Sequence, residues 1–471
     1  MKFLARDNEI GLLRQVAPGS GRSKLTVLYG RRRVGKTRLV EEAFKNARLL
    51  QFEGLEGGGT AAQQQHFLET LAQISGLQAH RAARSRNWKE ILMLLSEYLG
   101  SEPSVVLLDE FQWMAAERTQ LVSYLKYVWD NFFAKRNRVH LILCGSVGSF
   151  IVKKVIRSRA LYGRTDLELQ LAPLRLPEIK SVFMPQRSLR EITELYMAMG
   201  GIPKYLELVD PSLSVRLNLE RLCFSRAGYL ANEFERIFTS HFGSNPTFRR
   251  IVTALASRRF ASRNELLAAC RVDSGGRISE CLEDLRSAGF IDRYSPLDRS
   301  PDSKLVRYRI ADPYLLFYFR FIAPAKRRME RAGTGLSFDR CVPERKYAAW
   351  AGLLFEFVCW LHADLIADRL GFSAVNYDCG PWFSRAMADP GAQIDLLFKR
   401  ADHVFTICEM KFQDTPVGRR LIPAMARKVA LLDNPRRWSV EKVLISASPP
   451  AEELLSEGYV NRVLTLDDLF G

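Results

Sequence analysis

Residues Gly30-Arg31-Arg32-Arg33-Val34-Gly35-Lys36-Thr37 match G-x-x-x-x-G-K-[ST], and their flanks restrict the local fold sharply. The run before them, Leu25-Thr26-Val27-Leu28-Tyr29, is β-branched and apolar and predicts a buried strand. The run after them places Leu39, Val40, Ala43 and Phe44 on one side of a helix. Between strand and helix, the glycines let the backbone wrap an anion, and successive N–H groups and the helix N-terminus point at it. Gly30, Arg31, Arg32, Arg33, Val34 and Gly35 therefore form a candidate phosphate cradle, with Arg38 counted among its nucleotide contacts. Lys36 is placed to reach the β- and γ-phosphates and Thr37 to hold Mg²⁺, so the expected ligand is ATP with Mg²⁺.

A chain of 471 residues corresponds to about three domains by length. Its 47% hydrophobic and 26% charged residues are those of an ordinary globular protein. The net charge of +17 favours an anionic partner, and nucleic acid, DNA first, is the expected one. The basic residues are nonetheless dispersed, in Arg31–Arg33, Lys326–Arg328, Lys399-Arg400 and Arg436-Arg437. Eight scattered cysteines without a C-x-x-C pair read as a reduced, intracellular pattern with no zinc site. Cys144, Cys359 and Cys408 lie in apolar runs and look like small core residues. The N-terminus has no signal-peptide pattern and no apolar run reaches membrane-spanning length, so the expectation is a cytoplasmic protein with no membrane partner.

A second buried run, Ser104 to Leu108, ends in Asp109 and Glu110, where a Walker B pair belongs. Asp109 would organise the Mg²⁺ shell and Glu110 would orient or deprotonate the attacking water. The strand Val139 to Gly145 ends in Ser146, which either touches the γ-phosphate region or caps the next helix. Gly57-Gly58-Gly59 reads as a flexible connection, and Arg164 as a surface arginine or a nucleotide contact. The series GRRRVGKT, LLDEFQW, LILCGSV, LYGR and GGIPKYL resembles the P-loop ATPases abundant in archaea, in the AAA+/STAND neighbourhood, over about residues 1–215. The resemblance implies ATP hydrolysis on a RecA-like α/β core with a helical lid from about residue 175. It also implies an adenine-side motif beginning with Phe3, Arg6 and Glu9, and a lid proline, Pro203, that contacts the nucleotide. A sensor-2 arginine has no clear counterpart here.

Residues 216–335 read as a winged-helix domain and linker: three helical patterns, then a strand, a Pro/Asp/Ser-rich loop and a strand. The third helix carries Arg277 and Arg286 beside Glu280, Glu283 and Asp284, so it either contacts DNA or packs in a regulatory role. The aromatic run Tyr314 to Phe319 is expected in the core, and Lys326–Arg328 with Gly333–Gly335 in a linker.

Residues 336–471 hold a second constellation. Residues 346–370 read as one helix, with Glu356 amid apolar neighbours, where a charge is costly without a cation or metal. Gln393 to Phe398 and Val404 to Lys411 read as a hairpin that brings Asp395 beside Glu409, with Lys411 on the face of Glu409. Asp395, Glu409-x-Lys411 and the preceding Gly352-x-x-Phe355-Glu356 resemble the PD-(D/E)xK, restriction-endonuclease-like pattern. That resemblance implies Mg²⁺ on Asp395, Glu409 and Glu356, with Lys411 positioning the nucleophilic water. The combined expectation is an ATPase whose nucleotide cycle regulates a metal-dependent nuclease-like domain, in a homo-oligomer or with a regulatory protein partner. The alternative is a nucleotide-switched binder of DNA or protein whose C-terminal domain does not cut.

Overall fold

The computed structural model describes residues 6–17, 21–76, 87–115, 120–136, 138–146, 155–156, 161, 163–243, 245–271, 276–295, 297, 306–383 and 392–471. Phe3 and most of the loop expected between the two later strands of the middle region lie outside them. The chain divides into two compact units, Met1–Pro173 with Glu283–Gly289, and Leu174–Leu282 with Phe290–Gly471.

The first unit is built on five parallel strands: β1 (Lys24–Gly30), β2 (Leu49–Glu53), β3 (Ser104–Asp109), β4 (Val139–Gly145) and β5 (Leu167–Leu171). Their order is β2-β3-β4-β1-β5. β3 and β4 are buried at every residue, as unbroken apolar runs in the middle of a parallel sheet should be. At the edge, β5 alternates Glu168 and Gln170 outward with Leu169 and Leu171 inward. The helices Thr60–Ser75 and Trp88–Leu99 bury Phe67, Leu71, Trp88, Ile91 and Leu95 in a core that includes Phe52 and Leu108. Gly57–Gly59 is more fixed than a flexible connection, because the buried Gln63 amide donates to Leu55 and Gly58 carbonyls and its oxygen accepts from Leu55 N–H.

The second unit begins with helices Leu176–Val182 and Leu189–Met199 and continues through Tyr229–Phe242. Next come helices Pro246–Ala256, Arg263–Cys270 and Gly276–Ser287, the last counting with the first unit from Glu283 on, and the strands β6 (Ala261–Ser262), β7 (Ile291–Tyr294) and β8 (Arg307–Ile310), a sheet of order β6-β8-β7. The aromatic run is core: Tyr314, Phe317 and Tyr318 are buried, and the Tyr314 hydroxyl donates to Leu230 O at 2.7 Å. The stretch expected as linker is instead a helix, Ala323–Ala332, which buries Ala325 and Met329 and keeps Lys326, Arg327 and Arg328 on its polar side.

A five-stranded mixed sheet follows, β9 (Tyr377–Phe383), β10 (Gln393–Arg400), β11 (Val404–Lys411), β12 (Ser439–Ser446) and β13 (Arg462–Thr465), ordered β13-β12-β11-β10-β9. The single helix expected over 346–370 is two, Glu344–Leu361 and Ala363–Arg369, meeting at a 73° bend. His362 occupies the bend. Its Nδ1 bonds Val358 O at 2.8 Å, and its Nε2 accepts from Leu176 N–H at 3.2 Å, tying the bend to the start of the unit. Among the described residues no single helix is long and apolar enough to cross a membrane.

Burial keeps His362 neutral, with a pKa pushed down to about 4, and does the same to His140 in β4, also to about 4. The folded value lies below the unfolded one, about 6.5, so acid favours unfolding. Stability should be full above pH 6.5 and fall toward pH 4 by about 1.4 kcal/mol per pH unit for each histidine. Chemical denaturation between pH 7 and 5 should show stability falling with acid, offset in part by Glu356, whose raised pKa acts in the opposite sense. The fall should be absent or reversed in a His140→Gln, His362→Gln variant; a flat or rising wild-type profile would contradict it.

Candidate functional site

The phosphate cradle lies at the carboxyl end of β1. A Cβ on Gly30 would strike the Leu171 carbonyl oxygen of neighbouring β5, so the position needs glycine. Arg33 (φ 72°) and Gly35 (φ 91°) turn the loop through left-handed backbone, and the helix Lys36–Ala43 starts directly after. Lys36 is 6% exposed, and its ammonium donates to Gly30 and Arg31 carbonyls at 3.2 Å each. Among the described residues no carboxylate pairs with it. A buried cation met only by carbonyl dipoles is the local chemistry that an incoming phosphate completes. Arg31 and Val34 are buried within the loop; Arg32 pairs with Glu56 at 3.4 Å, and Arg38 is exposed on the first helical turn. Arg6 is buried and donates to Ala172 O, just past β5, at 2.6 Å and to Glu9 at 2.9 Å.

Thr37 and Asp109 meet: the hydroxyl donates to Asp109 Oδ2 at 2.5 Å. A hydroxyl and a carboxylate at this distance, beside the lysine, are the donor types that suit Mg²⁺. Glu110 takes left-handed backbone, φ 47°, a strained setting for a non-glycine residue. Its carboxylate accepts from the Gln112 amide and, at 2.9 Å, from the Ser146 hydroxyl, while Gln112 also donates to Ser146 at 3.1 Å. The strand order explains the contact, because β4 runs between β1 and β3 and delivers Ser146 beside Glu110. Gln112 went unread in the sequence, although its spacing of two from Glu110 was available. Arg164 is held by Asp130 through two bonds of 2.7 and 2.9 Å. Pro203 belongs to the second unit, where it opens the short helix Pro203–Leu206.

The acidic constellation forms in the second unit. β10 and β11 are antiparallel, with Leu396 opposite Cys408, so one further step sets Asp395 against Glu409. The register against β9 slips between Ile394 and Leu397, a bulge at Asp395 of the kind that re-aims a side chain. Lys428, on the helix Leu421–Leu431, bridges the pair at 2.6 Å from Glu409 and 3.8 Å from Asp395. Lys411 lies 2.7 Å from Glu409, and Gln393 donates to Asp395 at 2.6 Å. Glu356 faces the same place from the helix Glu344–Leu361 and pairs with Arg259, whose guanidinium also lies 3.7 Å from Asp395.

Burial alone would raise the Glu409 carboxyl; Lys428 and Lys411 outweigh it and hold it below the ordinary value. Burial first, and the neighbouring Asp395 charge second, push Glu356 up to about 8, against the opposing pull of Arg259. The donor chemistry suits a hard divalent cation. The carboxylates are nevertheless already compensated by three cations, and among the described residues no group of three His, Cys, Asp or Glu is arranged to hold a metal. The expected set Glu356, Asp395 and Glu409 is thus brought together without forming an open metal cage. Arg259 was not foreseen because it comes from an element remote in sequence, and Lys428 because it sits on the helix after the hairpin, whose packing on the acidic pair is a tertiary contact.

The first unit therefore presents a P-loop cradle with its Mg²⁺-side carboxylates. Residues 3–209 match the family model of an ATPase domain predominantly from Archaea, and this part of the chain is an archaeal-type ATPase domain. An uncharacterised protein of Methanocaldococcus jannaschii is 26% identical over 420 residues, 88% of this chain and 88% of that one. Among solved structures, a Walker-type ATPase of Pyrococcus abyssi aligns with TM-score 0.47 and 20% identity over 67% of this chain and 95% of that one. The ORC2 protein of Aeropyrum pernix aligns with TM-score 0.40 and 16% identity over 70% and 96%.

Replacing Lys428 with Met leaves Glu409, 6% exposed at its side chain, and Asp395 facing each other with their bridging cation gone. The Lys428→Met variant should lose about 3 kcal/mol of stability at pH 7, and recover part of it at pH 5 as a carboxylate takes up a proton. Denaturant unfolding at both pH values checks this; equal stability to wild type would show that the bridge contributes nothing.

Proposed function

We propose that this chain is an ATP-hydrolysing switch whose nucleotide cycle governs an acidic, nuclease-like site in its C-terminal sheet. The observation that carries the first half is the buried Lys36 ammonium, held by loop carbonyls above a Thr37–Asp109 pair. Lys36 neutralises the β- and γ-phosphates, while Thr37 and Asp109 hold Mg²⁺. Glu110, oriented by Ser146 and Gln112, aligns the attacking water and accepts its proton. The loop residues Gly30 to Thr37 and Arg38 wrap the phosphates, and Arg6 serves the base side. Bound Mg²⁺ supplies charge neutralisation at the transferred phosphoryl group.

The coupling half rests on residues 174–209, which belong both to the family match and to the second compact unit. Arg175 makes two bonds to Asp364, at 2.7 and 2.9 Å, and Leu176 N–H is bonded to His362. Arg190 stacks on Phe412 and pairs with Asp414 at 2.7 Å, directly after Lys411. Any shift of these helices is thereby passed to the strand end that carries Glu409 and Lys411.

The three helices and the β6-β8-β7 sheet support a winged-helix reading of the middle region. Its third helix favours packing over DNA contact, since Arg286 is engaged by Glu283 at 2.7 and 3.0 Å. In the C-terminal site, Asp395, Glu409 and Glu356 form no open metal cage as they stand, and only with their cations displaced would they hold Mg²⁺, which would supply charge stabilisation at a scissile phosphate. Lys411 positions the water, and the +17 charge favours nucleic acid as the partner. The compensation of all three carboxylates by Arg259, Lys411 and Lys428 favours a second reading, in which the domain binds without cutting.

Cleavage of single- and double-stranded DNA and RNA with Mg²⁺ or Mn²⁺, with and without ATP, separates the two. The nuclease reading expects ATP-dependent cleavage by wild type, reduced by a factor of about 100 or more in Asp395→Ala. No cleavage of any substrate by a protein that still hydrolyses ATP would establish the non-cleaving binder.

A further inference from the structure

The second unit holds a cavity of about 340 Å³ beside the acidic residues, between the middle region and the C-terminal sheet. Glu356, Gln393 and Asp395 form one side of it, so it opens on the carboxylates described above. Much of the remaining lining is aromatic. Tyr294 stands edge-on to Trp360 at 5.0 Å between ring centres, and Phe260 edge-on to Phe383 at 4.8 Å. Four arginines, Arg258, Arg259, Arg309 and Arg320, complete the lining. Arg309 is buried against the Trp360 face, and its Nε has no hydrogen-bond partner among the described residues.

Ring edges and faces with interspersed guanidinium groups suit a ligand that is flat and aromatic at one end and anionic at the other. The volume is at the small end of ligand pockets and admits one such unit. We infer that this cavity takes one unpaired nucleotide of a nucleic-acid strand, with the base among Phe260, Tyr294, Trp360 and Phe383 and the phosphate on Arg259 and Arg320. The inference deepens the nuclease-like reading and rests on the acidic site being where a phosphodiester meets the chain.

Arg259 links the two places. Its guanidinium is shared between Glu356 and Asp395 while it lines the cavity. A strand phosphate competes for the same donors with a stronger, bidentate geometry. Seating the nucleotide therefore draws Arg259 from Glu356 and from Asp395, while Lys428 stays on Asp395 and Glu409. A duplex must first unstack and extrude a base to reach the cavity, which sets a preference for single strands.

The test is fluorescence anisotropy on the full chain in EDTA, with a labelled oligothymidylate of about twelve nucleotides and a duplex of equal length. The strand should bind about tenfold tighter than the duplex or better. Phe260→Ala and Phe383→Ala should each weaken strand binding about fivefold or more. Arg320 is exposed, so Arg320→Ala should weaken it without disturbing the fold, with thermal unfolding as the control. Duplex bound as tightly as strand, or affinities indifferent to all three variants, would overturn the inference. So would displacement of the strand by thymidine monophosphate at equal nucleotide concentration, which would make the site one for free nucleotides. Because no cleavage is read, the two proposals fail separately. A chain that cuts nothing yet shows this pattern keeps the cavity and loses the nuclease; one that cuts with binding indifferent to the variants does the reverse.

Discussion

A charge removed from water must be answered by another charge or by dipoles, and that constraint shapes both sites of this chain. In the first unit, Lys36 is answered by the Gly30 and Arg31 carbonyls, Asp109 by Thr37, and Glu110 by Ser146 and Gln112. In the second, Lys428 answers Glu409 and Asp395, and Arg259 answers Glu356. Each site is closed upon itself by partners that a ligand would replace. Binding at either is then an exchange of partners, and the energy of a new contact is reduced by that of the one it displaces. A site arranged this way stays stable without ligand and changes its bonding when ligand arrives, which is what a switch requires.

The two compact units do not coincide with the boundary of the ATPase match. Residues 174–209 fall inside the match and inside the second unit, where Arg175, Leu176 and Arg190 are bonded to the C-terminal part of the chain. The bonded positions, Asp364, His362 and Asp414, lie at the bend after the Glu356 helix and at the end of the β11 strand. Both are elements that carry acidic-site residues. A small displacement of the helices Leu176–Val182 and Leu189–Met199 has few ways to be absorbed without moving one of them, since packed helices shift as bodies.

Much of this was legible in the sequence because the signals are local. The P-loop is contiguous, the Walker B carboxylates end an apolar strand, and Asp395 and Glu409 sit on a hairpin whose turn fixes the register. What was not legible comes from tertiary proximity. Arg259 lies 97 positions from Glu356, and nothing in its neighbourhood marks it as a partner for a carboxylate. Lys428, on the helix that follows the hairpin, carries no local mark of its bond to Glu409. The break at His362 was hidden because the apolar period continues through it, while the Leu176 N–H that bonds to it lies 186 positions earlier. The same limit applies to the supposed linker, where three successive basic residues masked a helix that buries Ala325 and Met329.

In the function proposed, the first unit turns over ATP through Glu110, held in strained backbone by its place after β3 and aimed by Ser146 and Gln112. The most direct test is ATP binding and hydrolysis by wild type and Glu110→Gln with Mg²⁺ present. The account predicts that the variant keeps its affinity for ATP and loses hydrolysis by a factor of about 100 or more, as for removal of a positioned general base. Hydrolysis by Glu110→Gln at the wild-type rate would contradict it.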